Sequence, residues 1–305
     1  MGILNVLSFA ISFVLARKIE NEATPIFQNT IRSIIAFITF LIICLSFGVF
    51  LRIFSLSIFI ILILSISIIF TVILGDTVYL QSQKILGPAK ALAITTTTPF
   101  FTILFAIIFL NRPVSVQMIF SGILIALGVI IITKKENINR DIKNSIKDEK
   151  AKTRLPKVFK GTLLALFTAV SWAIGIALTD YSINQVDQSL NLGVLSTMIA
   201  MMVRFLFASF SLSLIALVES TRIPIPKSQN TWIILIISAV LSYSMGSIFF
   251  GEAIHTAGAV FVSLISTAMP LFTIPFSYII NKEKLSKRGY IGVGITLSGV
   301  ILILF

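Results

Sequence analysis

Chemistry in this 305-residue chain has few residues to draw on. One cysteine and one histidine exclude disulfide frameworks, cysteine-rich zinc sites, Cys/His nucleophile pairs and multi-histidine metal centres. Neither a catalytic group nor a metal site is expected. What remains is a handful of charged and polar residues within or beside long apolar runs, where each is costly and calls for a role. Arg32 and Arg204 lie near the cores of matched runs; they either snorkel to lipid phosphate or supply charge to an internal cavity. Asp76, Asp180 and Glu252 stand close to the ends of uncharged stretches. Interfacial solvation, a water-filled vestibule, or a proton or amine site would each account for them. Glu252 and His255, three residues apart, share one face of a helix and form the best pair for such a site.

Prolines inside apolar segments make a second set. Pro99 follows Thr95 and Thr96, and Pro270 follows Ser266 and Thr267. Each proline removes an intrahelical hydrogen bond and forces a kink, and the neighbouring hydroxyls can satisfy the freed carbonyls. The pattern fits a static kink or the wall of a central cavity. Trp172 and Tyr243 fit packing aromatics or apolar walls of that cavity. The run Gly292-Val293-Gly294 lacks a preceding strand and a properly spaced third glycine, so no cofactor is expected.

The elements that must hold these residues are set by composition. With 57% hydrophobic and only 12% charged residues, against roughly 25% charged in soluble domains, and a mean hydropathy of +1.04, a soluble enzyme and a disordered chain are both excluded. The net charge of +12 fits basic loops at an anionic leaflet better than a nucleic-acid partner. Uncharged stretches cover 1–16, 33–51, 53–75, 91–111, 113–133, 161–179, 205–218, 228–251, 253–281 and 289–305. Most approach the roughly 20 residues that carry a helix across a bilayer. Runs such as Phe59 to Leu64 do not alternate as a barrel strand must. The fold class read from this is all-α, a polytopic membrane protein of ten transmembrane helices. The first stretch ends in Ala16-Arg17-Lys18 without a cleavage site, and reads as a retained helix.

Residues 134–160 form the long hydrophilic segment and split the chain into 1–133 and 161–305, each with five spans. At an offset of 171 the punctuation of the two parts coincides: Gly75 falls on Gly246, Gly87 on Gly258, Thr96 on Thr267, Pro99 on Pro270, Phe101-Thr102-Ile103 on Phe272-Thr273-Ile274, and Gly128-Val129 on Gly299-Val300. Arg32 meets Arg204 at 172, and Ser8 meets Ser171 at 163. Five is odd, so a second copy enters the membrane from the opposite side. Inverted repeats of this kind recur in secondary transporters.

These residues resemble the EamA family of the drug/metabolite transporter superfamily. The carriers are Thr95 to Phe101, Asn111-Arg112-Pro113-Val114-Ser115 and Gly122 to Val129, with a second copy in Ser266 to Phe272, Asn281 to Ser286 and Gly292 to Val300. The family's Trp-Gly is Trp172-Ala173 here and Phe9-Ala10 in the first copy; its acidic hairpin residue survives as Glu283 but is Arg112 in the first copy. The resemblance implies two five-helix repeats in a cell-membrane carrier that exports amino acids or related metabolites. Small-molecule substrate and membrane lipids are the expected partners, and the oligomeric state is left open. A scaffold or lipid scramblase of the same shape, or an intramembrane enzyme, is the alternative. Basic residues concentrate in the odd-numbered loops, which places both termini outside; the resemblance implies the reverse.

Overall fold

A computed structural model of the protein describes residues 1–86, 88–110, 115–133, 150–220, 225–281 and 287–304, a number of them, Pro270 included, by their backbone alone. The hairpin residues Asn111 to Val114 and Lys282 to Ser286, and the linker over 134–149, lie outside the described residues. Among those described, the regular elements are helices: α1 Gly2–Lys18, α2 Pro25–Ser46, α3 Ile58–Leu86, α4 Pro88–Thr95, α5 Thr98–Leu110, α6 Val116–Thr133, α7 Lys150–Leu190, α8 Val194–Ser220, α9 Gln229–Ser266, α10 Met269–Asn281 and α11 Lys287–Leu304.

Local chemistry starts and stops several of them. Thr24 accepts a hydrogen bond from the Phe27 N–H with Pro25 in the first turn of α2, and Ser57 does the same for the Ile60 N–H of α3; both satisfy a donor that a helix start leaves free. At 1.5 Å per residue the 41 residues of α7 run about 60 Å, twice a hydrocarbon core. Its first turns, Lys150 to Lys160, belong to the basic segment read from sequence as a linker.

Five of the described helices are long and apolar enough to cross a membrane: α2, α3, and the apolar portions of α7, α8 and α9. Their outward faces carry exposed Ile38, Ile42, Phe59, Leu62, Phe210 and Leu214, which water would penalise and lipid does not. The buried faces meet in a core where Phe40 stacks on Phe205 at 5.7 Å.

Three expectations from the sequence need correction. Asp76, Asp180 and Glu252 do not stand at the ends of helical spans: α3 continues to Leu86, α7 to Leu190, and α9 stays helical past Glu252 until Gly258. A charge bounds an apolar stretch in sequence but not a helix, provided neighbouring helices satisfy it. Gly258, at φ +82 and ψ 171, is in a conformation open essentially to glycine, and it turns the chain between 229–257 and 259–266.

The segments Ile69–Asp76 of α3 and Val240–Gly246 of α9 are both π-helical, 171 residues apart, as are the starts of α5 and α10. Packing follows the same correspondence. Helix α2 lies on α8 and α6 on α11, while α1 touches α9 and α10 as α7 touches α3 and α5.

Candidate functional site

A cavity opens between α1, α3, α4, α7, α8 and α9, with the first residues of α5 and α10 at one end; about 850 Å3 of space lies within it and its opening to solvent. Two widened turns shape it. A π-turn inserts one residue per turn and is found at functional sites; here each carries, at its last position or the one before, a glycine that admits an aromatic ring. A Cβ on Gly75 would lie 2.5 Å from Trp172 Cδ1, and one on Gly246 would lie 2.9 Å from Phe9 Cε2. Trp172 of α7 and Phe9 of α1 are themselves equivalent, 163 residues apart.

Polar groups converge behind these rings. Asp76, the last residue of the α3 π-turn and only 5% exposed, accepts 2.8 Å from Trp172 Nε1 at Oδ1 and 2.6 Å from the Tyr243 hydroxyl at Oδ2. The carboxylate therefore ties α3 to α7 and α9. Arg32 is fully buried; its guanidinium lies 4.1 Å from the Tyr243 ring centroid and donates to Asn29 Oδ1, Ser12 Oγ and Ser242 Oγ at 3.1, 3.0 and 2.8 Å. Arg204, 2% exposed, donates from Nε to Ser67 Oγ and from Nη2 to Thr71 Oγ1, both at 3.0 Å. Neither arginine snorkels. Each bonds the π-turn of the other half, since Thr71 corresponds to Ser242.

The sequence candidates divide in place. Thr95, Thr96, Trp172, Arg204, Tyr243, Ser266 and Thr267 all line the cavity. Arg32 sits behind Tyr243, off the wall. Pro99 is buried in the first turn of α5, where helices α4 and α5 break outright instead of kinking. The Thr95 hydroxyl donates to Leu92 O and that of Thr98 to Thr95 O at the break; Thr267 does the same to Leu264 O at the equivalent break before α10. The Pro270 side chain lies outside the described residues.

Glu252 and His255 are not on the cavity wall. His255 Nε2 faces Asp187 Oδ2 at 3.2 Å near the end of α7, and Glu252 is buried with Oε1 lacking a hydrogen-bond partner. The two share a helix but not a set of contacts. Asp180 accepts from the Ala259 N–H at 3.2 Å and from Asn184 Nδ2 at 2.8 Å; it caps the helical turn that begins after Gly258. Sequence reasoning missed Asn5, Phe13, Thr71, Ser247 and Phe250 on the wall. The pairing of Ser67 and Thr71 with Ser238 and Ser242 at the 171 offset was the signal that could have found Thr71.

The profile of the EamA-like transporter family matches residues 1–134 and 159–305. An uncharacterized transporter of Archaeoglobus fulgidus is 26% identical over 245 residues, covering 80% of this chain and 76% of that one. A solved crystal structure superimposes with a TM-score of 0.74 at 13% identity, covering 99% of this chain and 94% of its own; at that identity it speaks for the fold alone. Matched on both sides of its basic segment and wrapped in exposed apolar residues, the chain is an integral membrane protein and belongs to the EamA-like transporter family.

Proposed function

We propose that the protein is a secondary carrier in the cell membrane, built of ten transmembrane helices in two inverted five-helix repeats, 1–133 and 161–305, with the basic segment 134–160 between them. It moves a small metabolite through the central cavity by alternating access, outward from the cell, with amino acids as one substrate class; it is not an enzyme. The observation that carries this reading is the exchange of equivalent partners. Arg204 bonds the α3 π-turn while Arg32 bonds that of α9, Trp172 packs on Gly75 while Phe9 packs on Gly246, and the two helix breaks before Pro99 and Pro270 face the same space. Two halves with interchangeable contacts can trade conformations, so that a midplane site opens first to one side and then to the other.

Reconstitution into proteoliposomes tests it. Saturable counterflow of a metabolite is expected, and Pro99→Ala together with Pro270→Ala is expected to slow it by filling the breaks with continuous helix. Movement of lipid alone would identify a scramblase, and flux unchanged in both variants would remove the proposed gating role of the breaks.

A further inference from the structure

Among the described residues the buried charged side chains are Arg32, Arg204, Asp76, Asp180 and Glu252. Arg32 and Arg204 are both buried, and Asp76 is the carboxylate on the cavity wall. Among the described residues no carboxylate oxygen lies within 4.0 Å of either guanidinium. Buried charge without a partner is unstable unless something completes it.

The two arginines differ in what they leave open. Arg32 is sealed under Tyr243, away from the wall. Arg204 is on the wall, and a guanidinium has five N–H donors. One of its hydrogens goes to Ser67, one to Thr71 and one to the Met201 sulfur at 3.2 Å, a weak acceptor. One hydrogen on each terminal nitrogen is left over, the number that a carboxylate takes in a two-pronged contact.

Several hydroxyls of the wall are already committed as donors. The hydroxyls of Thr95, Thr98, Ser263 and Thr267 each donate to the carbonyl three residues earlier, so they present lone pairs and not protons. Asn5, 3% exposed and on the wall, has an amide oxygen with no partner, an acceptor left for a donor elsewhere on the ligand. Phe9, Phe13, Trp172, Phe205 and Phe250 supply apolar surface.

We propose that this cavity binds an amphipathic organic anion, its carboxylate held by Arg204 and its apolar part against the aromatic rings. The use of the site in transport rests on the carrier reading above; the binding does not.

Calorimetric titration of the full chain in lipid nanodiscs, with phenylacetate, phenylacetamide and phenethylamine as probes, tests the site. Phenylacetate is expected to bind at least about tenfold more tightly than the neutral amide, a difference of about 1.4 kcal/mol, and the amine to bind more weakly than either. Arg204→Gln is expected to bring phenylacetate down to the level of the amide while leaving the amide where it was. An amide or amine that matches phenylacetate in the unmodified protein overturns the proposal, as does Arg204→Gln that keeps the preference. Chloride competing as strongly as phenylacetate overturns the requirement for an apolar part. Should Arg204→Gln fail to fold, the three probes on the unmodified chain still decide. Phenylacetate bound through Arg204 in a protein that moves nothing across a vesicle retires the carrier and keeps the site; counterflow without anion preference does the reverse.

Discussion

Asp76 shows how a charged residue becomes tolerable at membrane depth. Each of its oxygens accepts from an aromatic side chain, the Trp172 indole and the Tyr243 hydroxyl, so donors arrive from two other helices without opening the site to water. The Tyr243 hydroxyl also lies 3.1 Å from Asn29 Oδ1, but it has one proton, and the shorter contact takes it. Tyr243→Phe keeps the ring over Arg32 and removes that proton. The expected cost is about 1–3 kcal/mol, the penalty for a buried acceptor left without its donor. A lowered midpoint in detergent unfolding checks it, and an unchanged midpoint would mean that Trp172 alone satisfies the carboxylate.

Among the elements, the breaks matter more than the helices. The π-turns of α3 and α9 widen the backbone where α1 and α7 press against them, and Gly75 and Gly246 remove the side chains that would otherwise collide. Gly258 ends one helical run so that 259–266 can begin another, with Asp180 accepting from its first N–H, that of Ala259. At its φ and ψ an alanine is strained, and Gly258→Ala should lose about 1–3 kcal/mol. Gly48, at φ +67 in a loop with no atom within 4 Å of the place a Cβ would take, should lose only about 1 kcal/mol on the same change. Equal losses in the two unfolding curves would contradict the assignment of strain to Gly258.

For the whole molecule, the resting asymmetry is informative. Thr71 lines the cavity and its equivalent, Ser242, is buried away from it. If the halves exchange conformations as proposed, their exposures must exchange too. Cys44 is the single cysteine and is buried, so Cys44→Ala gives a clean background for labelling. Thr71→Cys is expected to react with a small polar thiol reagent at rest, and Ser242→Cys only when substrate drives turnover. Equal rates for both at rest would argue against an alternating pair.

Apolar content was enough to establish that this chain is helical and membrane-embedded, and residue spacing to set Arg32 against Arg204 and Thr95-Thr96 against Ser266-Thr267 at near-constant offsets, while the motifs around Pro99 and Pro270 carried the resemblance to the EamA family that the profile match shows. All three are read along one chain, without reference to what packs against it. Which arginine faces the cavity, that Asp76 lies inside a helix and not at its end, and that Glu252 and His255 are both off the cavity wall were settled by the packing alone. Burial and hydrogen-bond partners come from helices far apart in sequence, so residues matched at a constant offset acquire different surroundings once their helices pack around one cavity.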